Sequence, residues 1–234
     1  MKLEYKRFDF DKTLSDIDSV LQPECNELMP KNAFVNGIED DTVCAYASII
    51  AVYVRTKVTE GTKLEVLQRS YELSRDIILN IFRDNTDCID VICMGRYFIG
   101  IFNTPVNTYI NNVIVTMAKI SSALSVLDIK LHKRFNINVE GNCGCDYGRL
   151  FRLQTSVSRD KNWKTWHGSA LNLAMSFAEQ AIIDNKNSII ISETIKLNLT
   201  EEFAGFFPTY DSQLGGYRNT LGDSQMLKWI KENK

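Results

Sequence analysis

The hydrophobic positions along the chain change period several times, and each change marks an element. Residues 45–54 form a nearly continuous apolar run, rich in β-branched and aromatic side chains, which suits a central strand buried on both faces. Thr59-Glu60-Gly61-Thr62 reads as a turn ending in an N-cap. From Leu64 onward, Leu67, Tyr71, Ile77, Ile78, Ile81 and Phe82 recur at a helical period. Two short apolar runs, 89–94 and 97–102, flank Gly95-Arg96 so closely that they predict a hairpin. A long helix is expected over 107–131, with Ile110, Val113, Ile114, Met117, Ile120, Leu124 and Leu127 on its apolar face.

Residues 135–140 alternate as a strand, Gly141-Asn142-Cys143-Gly144 reads as a turn, and 147–153 as a returning strand. The remaining pattern predicts a helix over 168–183, a short strand over 188–192, a short helix over 193–197, a late strand over 205–210 and a terminal helix over 221–231. Ahead of the first strand, residues 1–42 read as an N-terminal extension. It holds one short amphipathic helix, with Leu14, Ile17 and Leu21 on one face, and a loop over 23–41. Residues 43–234 are then one α+β domain. Its strand-helix-strand-strand-helix-strand order is that of a ferredoxin-like βαββαβ core with additional C-terminal α/β elements.

Composition narrows the partners. Apolar residues make up 44% of the 234 and the formal net charge is -2, so no basic field attracts nucleic acid or an anionic membrane. Neither a signal-peptide core nor an apolar run near the ~20 residues of a membrane span is seen, and a cytoplasmic location is expected. Six cysteines and two histidines are present. Cys143 and Cys145 lie one residue apart, without zinc-site spacing to a histidine, so reduced cysteines are expected.

Four stretches, in order, resemble the class III adenylate and guanylate cyclase catalytic domain, most of all its bacterial antiphage cytidylate and uridylate cyclase branch, the Pycsar group. Residues 49–56 (IIAVYVRT) are similar to the family's first strand; Arg55 matches its arginine, and Tyr53 stands where the first metal-binding aspartate belongs. Residues 94–102 (MGRYFIGIF) are similar to its hairpin; Gly95 matches, and Arg96 replaces the second metal aspartate. Residues 142–148 resemble its glycine-containing strand. Residues 166–176 (WHGSALNLAMS) resemble its Asn-bearing helix; Gly168, Asn172 and Ala174 match, Ser176 replaces the transition-state arginine, and Thr165 takes the base-recognising position.

That resemblance implies a homodimer, or a pairing with a cyclase-like partner, whose active site is shared between subunits. It implies a nucleoside triphosphate or cyclic nucleotide ligand and, for an active enzyme, Mg²⁺ or Mn²⁺. Cyclisation uses two dications, and hard cations want carboxylate oxygens. Tyr53 offers a phenol and Arg96 a fixed positive charge. At about 4 Å and an effective dielectric near 20, each elementary like-charge pair costs about 4 kcal/mol. Neither Asp90 nor Glu60 is placed to substitute.

The expectation is a catalytically degenerate protein with no metal cofactor, acting as a nucleotide sensor or regulatory partner. Arg55, Gly95, Arg96, Thr165, Gly168 and Asn172 are its candidate nucleotide contacts, and Tyr53, Arg96 and Ser176 its altered catalytic positions. The rivals are an active cyclase, converting CTP, UTP, ATP or GTP to a 3′,5′-cyclic nucleotide and pyrophosphate, and a pure interaction module. Trp163 and Trp166 are expected at a dimer interface, with stacking on a base as the alternative, and His167 at the surface or an interface.

Overall fold

Strand β1, Thr42–Lys57, explains the rest of the architecture, because it is apolar on both sides. Its even positions Ile50, Val52 and Val54 pack with Ile78 and Phe82 of α2, Leu64–Asp84, and with the inner face of α3, Asn107–Phe135. Its odd positions Ala47, Ile49 and Ala51 pack with Ala170, Leu171, Ala174 and Ala178 of α4, Ser169–Asp184. A strand covered on both faces loses the polar alternation of a half-exposed one. The computed structural model describes residues 9–20, 42–58, 60–158, 161–184 and 188–233.

The sheet runs β2 (Cys88–Met94), β3 (Tyr97–Phe102), β1, β4 (Asn138–Ser158), β6 (Ile189–Ile191), β8 (Gly216–Asn219) and β7 (Tyr210–Asp211), with β5 (Lys161–His167) also paired to β4. The first four strands have the ferredoxin-like order, with α2 and α3 on one face. Among the described residues, only the β4–β6 pairing is parallel; β1–β3, β1–β4, β2–β3, β4–β5, β6–β8 and β7–β8 are antiparallel. All seven apolar positions expected on the inner face of α3 are buried. Burying each of the large side chains of this core, such as Phe82, Phe98 and Phe102, is worth about 1.5–3 kcal/mol. By length and composition α3 resembles a membrane span, yet 67% of its most apolar window is buried inside the fold.

Several sequence expectations change here. No turn interrupts residues 141–144: β4 is one 21-residue strand. Its glycines serve close packing. A Cβ on Gly144 would lie 2.1 Å from the Ala174 carbonyl oxygen, and one on Gly141 would lie 2.1 Å from Leu124 Cδ1. Helix α3 continues to Phe135, where a strand was expected, and ends on Asn136 in the left-handed conformation, with φ 55° and its N–H on the His132 carbonyl.

The N-cap of α2 is Lys63, which gives no side-chain cap, rather than Thr62. The strand expected over 205–210 is instead the end of α6, Glu201–Gly205, followed by the β7–β8 hairpin. The short helix over 193–197 is present as α5, Glu193–Leu197, capped by Ser192 Oγ accepting from the Ile195 N–H at 3.2 Å. The terminal helix is α7, Ser224–Asn233. In the N-terminal extension α1, Phe10–Val20, leaves Phe10, Leu14 and Ile17 exposed; Leu21 and the expected loop over 23–41 lie outside the described residues.

Candidate functional site

The β2–β3 hairpin brings Arg96 to the end of β1. Gly95 takes φ +59° at the first position of the two-residue loop, where glycine's freedom is needed. Two hydrogen bonds pin this tip: the Val54 N–H donates to the Arg96 carbonyl at 3.0 Å, and the Tyr71 hydroxyl of α2 donates to the Gly95 carbonyl at 2.8 Å. The β1–β3 register sets Tyr53 opposite Tyr97, and the two rings meet edge to face with centroids 4.9 Å apart.

Arg96 Nη1 then donates to the Tyr53 hydroxyl at 3.2 Å. The two residues at the expected metal positions therefore touch each other. The Glu179 carboxylate of α4 lies near the Tyr97 phenol. Burial first, then the charge of Glu179, pushes the Tyr97 phenol up to about 12.

The rest of this end of the face is ionic. Glu140 of β4 lies opposite Arg55 in register. Its Oε2 accepts from Arg55 Nε at 3.0 Å and Nη2 at 2.6 Å, and its Oε1 from Lys57 Nζ at 2.7 Å. Burial pushes the Glu140 carboxyl up, but the hydrogen bonds and charges of Lys57 and Arg55 outweigh it, and the net shift is downward.

A dication does not fit this donor set. The two groups at its expected place are a phenol and a guanidinium, Glu140 is held by two cations, and Glu179 lies by Tyr97. Among the described residues, no group of three or more His, Cys, Asp or Glu side chains gathers to hold a metal. Asp90 lies at the level of Ile101 and Ile49, four positions or about 13 Å along β1 from Tyr53. Its Oδ2 accepts from Trp166 Nε1 at 2.7 Å.

The other candidate residues gather at α4. Gly168 has φ +152°, and a Cβ there would lie 2.5 Å from the Arg149 carbonyl oxygen. Asn172 and Ser176, one turn apart, are exposed, while Ala170, Leu171, Ala174 and Phe177 face the core. Thr165 Oγ1 is 3.1 Å from His167 Nε2, and the exposed His167 ring stacks on Phe151. Among the described residues, no hydrogen bond or ion pair links Asn172 or Ser176 to Tyr53 or Arg96.

Trp166 corrects the interface expectation. It is 5% exposed, packed within the chain against Asp90, with the Arg152 guanidinium 5.6 Å over its ring; the side chain of Trp163 lies outside the described residues. The cysteines at 44, 88, 93, 143 and 145 are free thiols. Tyr97, Lys57, Glu140 and Glu179 were not singled out in the sequence, and Tyr71 only as part of a helical apolar row. Glu140 had a signal, its place on a strand opposite Arg55, but the register was needed to see it.

Neither a protein-family model nor a curated protein matches the sequence. Solved structures do. The chain is similar to the guanylyl cyclase Cya2, with TM-score 0.61 and 11% identity over 79% of this chain and 97% of that one. It is similar to the adenylyl cyclase CyaB from P. aeruginosa, with TM-score 0.59 and 13% identity over 77% and 96%. A third is a class III adenylyl cyclase-like ATP-binding protein from Pseudomonas aeruginosa, with TM-score 0.57 and 8% identity over 81% of this chain and 41% of that one. The chain therefore has the fold of class III adenylyl and guanylyl cyclase domains.

Proposed function

We propose that this protein is a catalytically degenerate member of that fold which binds a nucleotide through its phosphates without metal, as a sensor or as the regulatory partner of a cyclase-like chain. The observation that carries the reading is the Arg96–Tyr53 hydrogen bond. It supports a guanidinium, a donor suited to phosphate oxygens, standing in for the dication that the resemblance implies there. Ser176 on α4 supplies no cation to a developing phosphate charge, so pairing two such chains leaves that role unfilled. A cyclase-like relative of this fold that is described as ATP-binding gives the reading a precedent.

Exposure of Asn172 and Ser176 on α4 supports a homodimer or a mixed dimer in which the two halves meet. The resemblance to antiphage pyrimidine cyclases makes CTP and UTP the first ligands to try. Purified protein is incubated with each of the four nucleoside triphosphates and Mn²⁺, and titrated with each in EDTA. Binding in EDTA without cyclic product is expected. Cyclic nucleotide and pyrophosphate would refute the degenerate reading. Binding that requires metal, or that survives Arg96→Glu, would refute the role given to Arg96.

The active-cyclase reading has one observation in its favour: Glu140 and Glu179 both border the Tyr53–Tyr97 pair. Rearranged, they are the carboxylates it would need, and the same product assay decides.

A further inference from the structure

Tyr53, Arg55 and Lys57 alternate along one face of β1, about 6.6 Å from each to the next. Arg96 at the hairpin tip adds a further cation, and Glu140 and Glu179 are carboxylates near this end of the face. Glu179 lies by Tyr97, and among the described residues Arg55 and Lys57 both donate to Glu140.

The sharing is asymmetric in burial. The Glu140 side chain is 4% exposed, whereas those of Arg55 and Lys57 are 33% and 54% exposed. The carboxylate lies at the bottom and the cations stand above it, open to solvent. Arg55 Nη1 takes no part in the bonds to Glu140, and Lys57 uses one of its three donors there. A guanidinium fork beside an ammonium, converging on one anion, is the donor set that a phosphate group takes.

We infer that Arg55 and Lys57 form a phosphate cradle whose resting occupant is Glu140. The carboxylate holds both cations in place when no ligand is present, and its charge opposes an incoming phosphate. Lys57 becomes a binding residue beside Arg55 and Arg96, and Glu140 sets the affinity. The inference rests on the nucleotide-binding reading above and assigns the polyphosphate end of the ligand to the β1 side of the hairpin.

The test measures affinity of the full chain for inorganic tripolyphosphate and for each nucleoside triphosphate in EDTA, by calorimetry at fixed salt. Glu140→Gln keeps the size and an acceptor oxygen but removes the charge; it is expected to lower the dissociation constant about tenfold. Adding Lys57→Ala to Glu140→Gln is expected to abolish that gain. Glu140→Asp, which withdraws the carboxylate by one methylene, gives a smaller gain and serves if the Gln variant does not fold by near-ultraviolet circular dichroism. A folded Glu140→Gln protein that binds no tighter than wild type overturns the cradle while leaving nucleotide binding intact. If neither wild type nor Glu140→Gln binds any of these phosphates, the nucleotide-binding reading falls as well.

Discussion

The two faces of the central sheet are built from the same strands and carry different kinds of information. The face under α2 and α3 is mostly apolar, from Ile50 and Val54 to Phe98 and Phe102, with the row Ile110 to Leu131 of α3 across from it and the buried Ser48–Thr104 pair its polar exception. The face under α4 is apolar around Ile49, Ala51, Ile99 and Ile101, with buried Asp146 of β4 opposite Ile49. Toward one end it becomes Trp166, Asp90 and Arg152, and toward the other Tyr53, Arg96, Arg55, Glu140 and Lys57. The first face is tuned to pack and tolerates exchanges of similar volume. On the second, the polar groups must find partners, so single substitutions there change chemistry as much as stability.

The sharpest contrast between the faces is at two glycines of β4. Gly144 meets the backbone of α4, with a Cβ 2.1 Å from the Ala174 oxygen and 2.6 Å from the Ala178 nitrogen. Backbone cannot step aside, so Gly144→Ala is expected to lower stability by about 3–5 kcal/mol, at the severe end of single substitutions. Gly141 meets only the tip of Leu124 from α3. That side chain can change rotamer, so Gly141→Ala is expected to cost about 1–3 kcal/mol. Urea denaturation of both variants measures the difference; equal losses would mean that α4 sits no closer to the sheet than α3 does.

Next in size is the part-buried bond at the far end of the α4 face. Trp166→Phe removes the donor to Asp90 but keeps most of the ring, leaving a carboxylate oxygen without that partner; a loss of about 1–3 kcal/mol is expected. Asp90→Asn keeps an oxygen acceptor, and the loss is expected to be smaller. A double variant that loses as much as the two singles added together would show that the two groups do not interact.

How much of this was legible without coordinates follows the same division. The α3 row and the double-sided burial of β1 were readable because apolar periodicity is what the core selects for. The hairpin was readable because two strands around Gly95-Arg96 leave no other connection, and it is the hairpin that brings Arg96 to Tyr53. The 141–144 segment was misread because glycines that make room for Leu124 and Ala174 look, in sequence, like glycines that make a turn. That misreading also hid Glu140, since its place opposite Arg55 exists only if β4 runs straight through. Strand β5 was missed: Asn162, Lys164 and Thr165 give its stretch no clear apolar alternation. Glu179 reaches Tyr97 from another element, a pairing no local pattern shows.

The smallest expected effect is on titration, and it isolates the phenols at the Tyr53 end of the α4 face. Tyr97 is raised from 10.0 to about 12 by burial and then by the nearby Glu179 charge. The unfolded chain therefore loses this proton before the folded one does. The stability Tyr97 contributes is complete below pH 10 and is lost as the pH rises from about 10 to about 12. Glu179→Gln removes the charge but leaves the burial, so the shift is expected to shrink without vanishing. Ultraviolet phenolate titration of wild type, Tyr97→Phe and Glu179→Gln identifies the late-titrating group. If Tyr97→Phe leaves the highest-pH phase unchanged, that phase belongs to another tyrosine, and the coupling between α4 and the β3 end of the site is refuted.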